Sequence, residues 1–130
     1  MAAINRVLLY GNLTCDPVLR YLPGGQAVAD FQLAVNRDYR AADGADANET
    51  CFVGVVVWGG QAETAAAGLQ KGAPVLVEGS LVYEQWESAQ GRRNRLRVKA
   101  ARLQWQRAEG NTAKRRFRPL PDEDMENLPV

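Results

Sequence analysis

Histidine is absent from the 130-residue chain, and its only cysteines, Cys15 and Cys51, stand far apart. Without an imidazole there is no ready general base and no cysteine–histidine pair, and the ligands for a zinc centre are lacking. The carboxylates fall on turns, scattered strand positions and the C-terminal end, not in a paired constellation. Folding would have to bring Asp16, Asp30 and Glu78 together to bind a cation, and nothing in their spacing demands it. A non-enzymatic protein with no metal and no cofactor is expected. Long apolar runs are missing too. No stretch approaches the roughly 18 apolar residues of a membrane-spanning helix, and the opening Met-Ala-Ala-Ile-Asn-Arg lacks the apolar run of a secretion signal. A cytoplasmic protein with two reduced thiols and no membrane contact is expected. Charge of one sign is also scarce: 16 basic against 15 acidic residues leave a formal net charge of +1. A polyanion partner would have to be met by local clusters rather than by a global field.

What is present is alternation. Glu49 to Trp58 reads as a central strand, with Cys51, Val53, Val55 and Val57 on one face and Phe52, Gly54, Val56 and Trp58 on the other. The second row sets two rings six residues apart, roughly 20 Å along a strand. That spacing suits bases lying across a sheet, each stacked on a ring; burial of both faces, with the rings in the core, is the commoner use of Phe and Trp. Asn5 to Leu13 is a first strand bent at Gly11. Residues 14–26 break it with Asp16-Pro17 and Pro23-Gly24-Gly25, and Ala27 to Asp38 is a half-buried strand with Phe31, Leu33 and Val35 inward. A flexible loop over residues 40–48 joins it to the central strand. After Gly59-Gly60 the period lengthens, and Ala62, Ala65, Ala66 and Leu69 line a helical face that ends near Gly72. Pro74 to Tyr83 carries Val75, Val77, Leu81 and Tyr83 in phase; a loop over 87–91 leads to a last strand, about Asn94 to Trp105, whose alternation slips near Ala100-Ala101 as at a bulge. Three strands, a helix and two strands, with glycines at the bends, make an all-β chain and suit a five-stranded Greek-key barrel of the OB type, with one short helix between strands 3 and 4. A small sandwich plus a helix is the alternative.

The composition changes near Ala108. Lys114, Arg115, Arg116 and Arg118 precede Asp122, Glu123, Asp124 and Glu126, and the chain ends Leu128-Pro129-Val130. Opposed charge blocks with little apolar content predict a disordered tail over 108–130 behind a folded domain over 1–107.

Short matches in register across residues 4–105 carry a resemblance: Asn12-Leu13-Thr14, Asp16-Pro17 with Arg20-Tyr21, Pro23 to Ala29, Leu33 to Arg37, Trp58-Gly59, Leu69 to Gly72, Val77 to Leu81, and Trp86-Glu87 followed by Gly91. In this order the chain resembles the bacterial single-stranded DNA-binding proteins. The resemblance implies an OB-fold, sequence-independent binding and protection of single-stranded DNA in replication, recombination and repair, a homo-oligomer of four copies, and a place in the cytoplasm on the nucleoid. It puts Tyr39, Phe52, Trp58 and Trp86 where the family stacks bases. Such platforms contribute ~1–3 kcal/mol each without choosing a sequence.

Phosphate contacts are expected from Arg95, Arg97 and Lys99, a stripe alternating with Leu96 and Val98, from Arg92 and Arg93, and from Arg6, Arg20, Arg37, Arg40 and Lys71. A solvated face or a guarded sheet edge is an equally good reading of the stripe. Relatives often carry cations where this chain has Gly54, Gly60, Val82, Glu84 and Gln85, which predicts binding that leans on stacking more than on charge. The acidic tip is similar to the family's partner-recruiting terminus for DNA replication and repair proteins, with Asp122, Glu123, Asp124, Glu126, Leu128, Pro129 and Val130 as the gripping residues; the family's usual terminal phenylalanine is replaced by the smaller Val130. An OB-fold accessory module of primosome type, or one binding RNA or protein without coating DNA, is the rival reading, and Glu84 favours it.

Overall fold

Alternating apolar residues form strand where one face can be buried, and the interior of this chain is built from such rows. The computed structural model describes residues 1–106. Its elements are β1 (Val7–Leu13), β2 (Val18–Tyr21), β3 (Ala27–Arg40), β4 (Asp46–Trp58), α1 (Gly60–Gly68), β5 (Pro74–Ser88) and β6 (Gly91–Gln104). The sheet runs β1-β5-β6-β4-β3-β2 and closes by pairing β1 with β3, so β1, β3, β4, β6 and β5 form a five-stranded barrel with β2 on its rim. All pairings are antiparallel except β4 with β6, which run parallel at Val55↔Val98 and Val56↔Lys99. The helix lies between the third and fourth barrel strands, the arrangement expected of an OB-fold.

The inward rows meet as expected. Phe31 and Leu33 of β3, Val55 and Val57 of β4, Val75 and Val77 of β5 and Val98 of β6 share one buried cluster, to which α1 adds Ala62 and Ala65. Leu69 follows the helix, donating its N–H to the Ala65 carbonyl and burying its side chain in the same cluster.

Two glycines let the barrel close. A Cβ on Gly11 would stand 2.4 Å from the Ala34 carbonyl oxygen, at the point where β1 leaves β5 and takes up β3. Gly79 faces a bulge: Glu78 pairs with Arg102 but Gly79 with Ala100, leaving Ala101 as the extra residue. The slip near Ala100-Ala101 is thus a bulge, and it changes which β6 residues point inward. Val98 and Ala100 are interior before it, whereas Leu103 and Trp105 pack on the interior after it.

Three differences from the expected layout share one cause. Residues 14–26 contain β2, whose four residues are all exposed and so show no alternation. The loops expected over 40–48 and 87–91 are shorter than that, 41–45 and 89–90, since β3 pairs with β4 out to Arg40↔Asp46 and β5 with β6 out to Ser88↔Gly91. Leu81 and Tyr83 keep the phase of Val77 but are 45% and 58% exposed, because their hairpin runs past the end of the barrel. In each case a two-strand ladder is held by backbone hydrogen bonds, which leave no mark in hydropathy.

Candidate nucleic-acid interface

Pleating assigns a second row to each strand, and these outward rows join into one face. Register puts Trp58 beside Val28, Val56 beside Asp30 and Lys99, Gly54 beside Gln32, and Phe52 beside Ala34. Across β6 and β5 the row continues through Lys99 and Ser80, Arg97 and Val82, Arg95 and Glu84, and Arg93 and Trp86. Arg20 on β2 joins at Val28. Neither Trp58 nor Trp86 belongs to the interior cluster; Phe52 is 61% and Trp86 41% exposed, and Trp58 is half-buried.

Cations lie over three of the four rings expected to stack. Arg95 sits 5.0 Å from the Trp86 centroid, Lys99 5.9 Å from Trp58 and Arg37 5.2 Å from Tyr39. At such distances the ring quadrupole attracts the charge and orients both partners. A base arriving at one of these rings therefore meets a π-face and a positive charge together.

Tyr39 stands apart from the other three rings. The β3–β4 ladder has no bulge, so Tyr39 and Arg37 face the side opposite to Phe52, near the ribbon tip, where Tyr39 lines a groove with Asp38, Arg40, Asp46, Ala47 and Asn48. Arg40 shares the Phe52 side. Arg92 points away from Trp86 and pairs with Glu87 at 3.4 Å, while Arg93, beside Trp86, donates to Gln90. Arg6 pairs with Glu78 at the far end of the β5 row, and Lys71 lies in the turn after α1, where its backbone N–H donates to Asp16. Among the described residues, Arg40, Lys71, Arg93 and Lys99 have no carboxylate within ion-pair distance.

Arg97, expected to meet phosphate, is instead the most buried cation of the face, 8% exposed. Its stem crosses Gly54, whose missing Cβ would lie 3.4 Å from Arg97 Cδ, so the glycine makes room for the arginine. Its guanidinium donates to Glu84 through Nε at 2.6 Å and Nη2 at 2.8 Å, and through Nη1 to Asp30. Arg95 Nε adds 2.8 Å to the same Glu84 oxygen, and Arg20 reaches Asp30 at 3.2 Å. The hydrogen bond from Arg97 above all, then that from Arg95, overcomes desolvation and holds the Glu84 carboxyl well below the usual range, at about 2. Burial works against the charge on Arg97, yet its bond to Glu84 and then that to Asp30 raise its pKa. Glu84 is thus ionised at any ordinary pH, and the arginine stripe is largely neutralised from within.

Sequence reasoning put Glu84 near the rings only as a carboxylate where relatives often carry cations, and Asp30 only in a candidate cation trio; their pairing with the arginine stripe is set by cross-strand register, which alternation does not report. Asp16, Asp30 and Glu78 do not converge, each being held by a different partner, and among the described residues no acidic, cysteine or histidine group is arranged to hold a metal. No helix of the described residues is long and apolar enough to cross a membrane. The expected tail contacts, Asp122, Glu123, Asp124, Glu126, Leu128, Pro129 and Val130, lie outside the described residues.

The barrel and its ringed face can be set beside known proteins. The Single-strand binding protein family matches residues 4–115. The chain is 46% identical over 101 residues to a single-stranded DNA-binding protein of Wolinella succinogenes, covering 77% of this chain and 62% of that one. It is 43% identical over 101 residues to that of Helicobacter hepaticus, covering 77% and 59%. The chain therefore spans about three-fifths of the length of these curated relatives. Among solved structures, the Plasmodium falciparum SSB in complex with ssDNA superposes with a TM-score of 0.73 at 25% identity, covering 79% of this chain and 95% of that one. A deletion mutant of the Thermus aquaticus single-stranded DNA binding protein gives 0.71 at 34%, covering 84% and 52%. A match over most of the barrel and identities above 40% to two relatives lead to one conclusion: the chain belongs to the Single-strand binding protein family.

Proposed function

We propose that this protein binds single-stranded DNA without sequence preference and without catalysis, holding it unpaired during replication, recombination and repair. The observation that carries this is the shared outward placement of Trp58, Phe52 and Trp86 on one barrel face, with Lys99 and Arg95 over two of the rings. Bases stack on the rings, and Lys99, Arg93 and Arg40 supply phosphate contacts. Tyr39 extends the path onto the β3–β4 ribbon. Family membership supports assembly as a homotetramer in the cytoplasm, where one strand visits several ringed faces. Titration with an unstructured oligothymidine tests the reading: strong quenching of tryptophan fluorescence is expected, with light scattering reporting four copies. Unchanged fluorescence at saturating oligonucleotide would overturn it.

The folded domain ends near residue 107, and the tail beyond it recruits DNA replication and repair proteins through the Asp122–Val130 tip. Carboxylates followed by Leu128-Pro129-Val130 suit a pocket with a basic rim and an apolar floor. Changing Asp122, Asp124, Glu123 and Glu126 to their amides is expected to abolish pull-down of such proteins while leaving oligonucleotide affinity within about twofold. Unchanged pull-down would remove the tip from the proposal. The rival accessory-module reading is favoured by the carboxylate of Glu84 within the face, and absent quenching in the titration would decide for it.

A further inference from the structure

The ringed face contains an anion of its own. We propose that Glu84 acts as a resident phosphate surrogate, filling the donor positions on Arg95 and Arg97 that a DNA phosphate would otherwise take, and so lowers the charge dependence of binding. The inference deepens the reading of this face as a single-strand DNA site and rests on it.

Arginine recognises carboxylate and phosphate with the same planar fork, so a carboxylate seated in that fork excludes a phosphate from it. Glu84 engages Arg97 with both oxygens and Arg95 with one, and Arg97 Nη1 donates to Asp30. Glu84 also lies between Val82 and Trp86 on the outward row and opposite Arg95, whose guanidinium lies over Trp86. A strand stacked on Trp86 therefore brings its backbone past a cation that is already neutralised. Exchanging Glu84 for a phosphate would release one counterion from the DNA but leave a carboxylate to collect another. The net release, and with it the salt dependence, is close to nil at this contact. The depressed pKa of Glu84 means that mild acid does not remove the surrogate.

The test is the slope of log affinity against log salt for oligothymidine, read by tryptophan quenching. Glu84→Gln keeps the side chain's length and removes its charge. Arg97 retains Asp30, so Arg95 is the cation set free, and the slope is expected to steepen by about 0.7, the value for one neutralised phosphate on a single strand. On the same relation the variant binds roughly 8-fold tighter at 50 mM salt, the difference fading towards 1 M. Glu84→Asp, which keeps the charge, is expected to hold the wild-type slope. Arg95→Gln in the otherwise native chain gives a reading that does not depend on the Glu84 variant folding. Its slope should change by well under ~0.7, because the cation it removes is already satisfied. An unchanged slope in a folded Glu84→Gln protein, or a loss of a full ~0.7 in Arg95→Gln, would overturn the surrogate while leaving DNA binding intact. A wild-type chain that fails to quench would overturn both.

Discussion

Replacing Trp58 and Trp86 together by alanine is expected to weaken oligothymidine binding by about 2–6 kcal/mol, because each ring contributes ~1–3 kcal/mol when truncated. The two rings stand on different strands, β4 and β5, with β6 between them, so under the proposed reading they would stack different bases and their effects should add. At 1.4 kcal/mol per tenfold, the dissociation constant rises by about 30-fold to about 20,000-fold. Neither side chain belongs to the interior cluster, so the barrel should survive. A near-native melting temperature would confirm that binding, and not folding, was removed. Substituting both by phenylalanine keeps a π-face and should recover much of the loss. Filter binding or anisotropy replaces fluorescence here, since the reporters are gone. Retention of wild-type affinity by the double alanine variant would mean that these rings are not where bases rest.

The parts of this face that could be read from the sequence are those that alternation reports. The outward row of β4 was legible because Val55 and Val57 bury one side and leave Phe52 and Trp58 on the other. The order of elements followed from glycines and a change of period at Gly59-Gly60. Alternation says which side a residue faces but not which neighbour it meets, and for that reason the stripe of Arg95, Arg97 and Lys99 was ambiguous. Cross-strand register turned the stripe into three different situations: Arg97 sealed between Glu84 and Asp30, Arg95 shared between Glu84 and Trp86, and Lys99 near Trp58 without a carboxylate. Tyr39 shows the converse limit. Family resemblance groups it with the other rings, whereas the unbroken β3–β4 ladder faces it the other way from Phe52. A strand must wrap the ribbon to reach both.

The bulge at Ala101 lets the cation row face outward while Leu103 and Trp105 turn inward, so substitution of the glycine opposite it should damage both fold and site. A Cβ on Gly79 would lie 2.0 Å from the Lys99 carbonyl oxygen and 2.9 Å from its carbon. Ordinary carbon–oxygen contact is ~3.3 Å, so the β5 and β6 backbones would have to part by more than a relaxed core allows. Overpacking costs typically about 1–3 kcal/mol and occasionally more, and the atoms met here are backbone, which cannot swing aside. Gly79→Ala is expected to lose at least ~2 kcal/mol of stability, about 8–16 °C in Tm. Gly24→Ala is the control: nothing stands within 4 Å of its Cβ position and its φ is not positive. A neutral result or a gain of up to ~1 kcal/mol is expected there, from the stiffer unfolded chain. The effect at Gly79 reaches the site through register. Before the bulge Val98 and Ala100 point in and Arg97 and Lys99 out; after it Leu103 and Trp105 point in. A one-residue slip reverses every side chain on a strand, and no single straight ladder satisfies both halves. Chains of Gly79→Ala that remain folded at low temperature should therefore also bind oligothymidine more weakly, as Glu84, Arg95 and Trp86 lose their alignment. If Gly79→Ala melted with Gly24→Ala and bound as the native chain does, the bulge would not be what holds these residues in place.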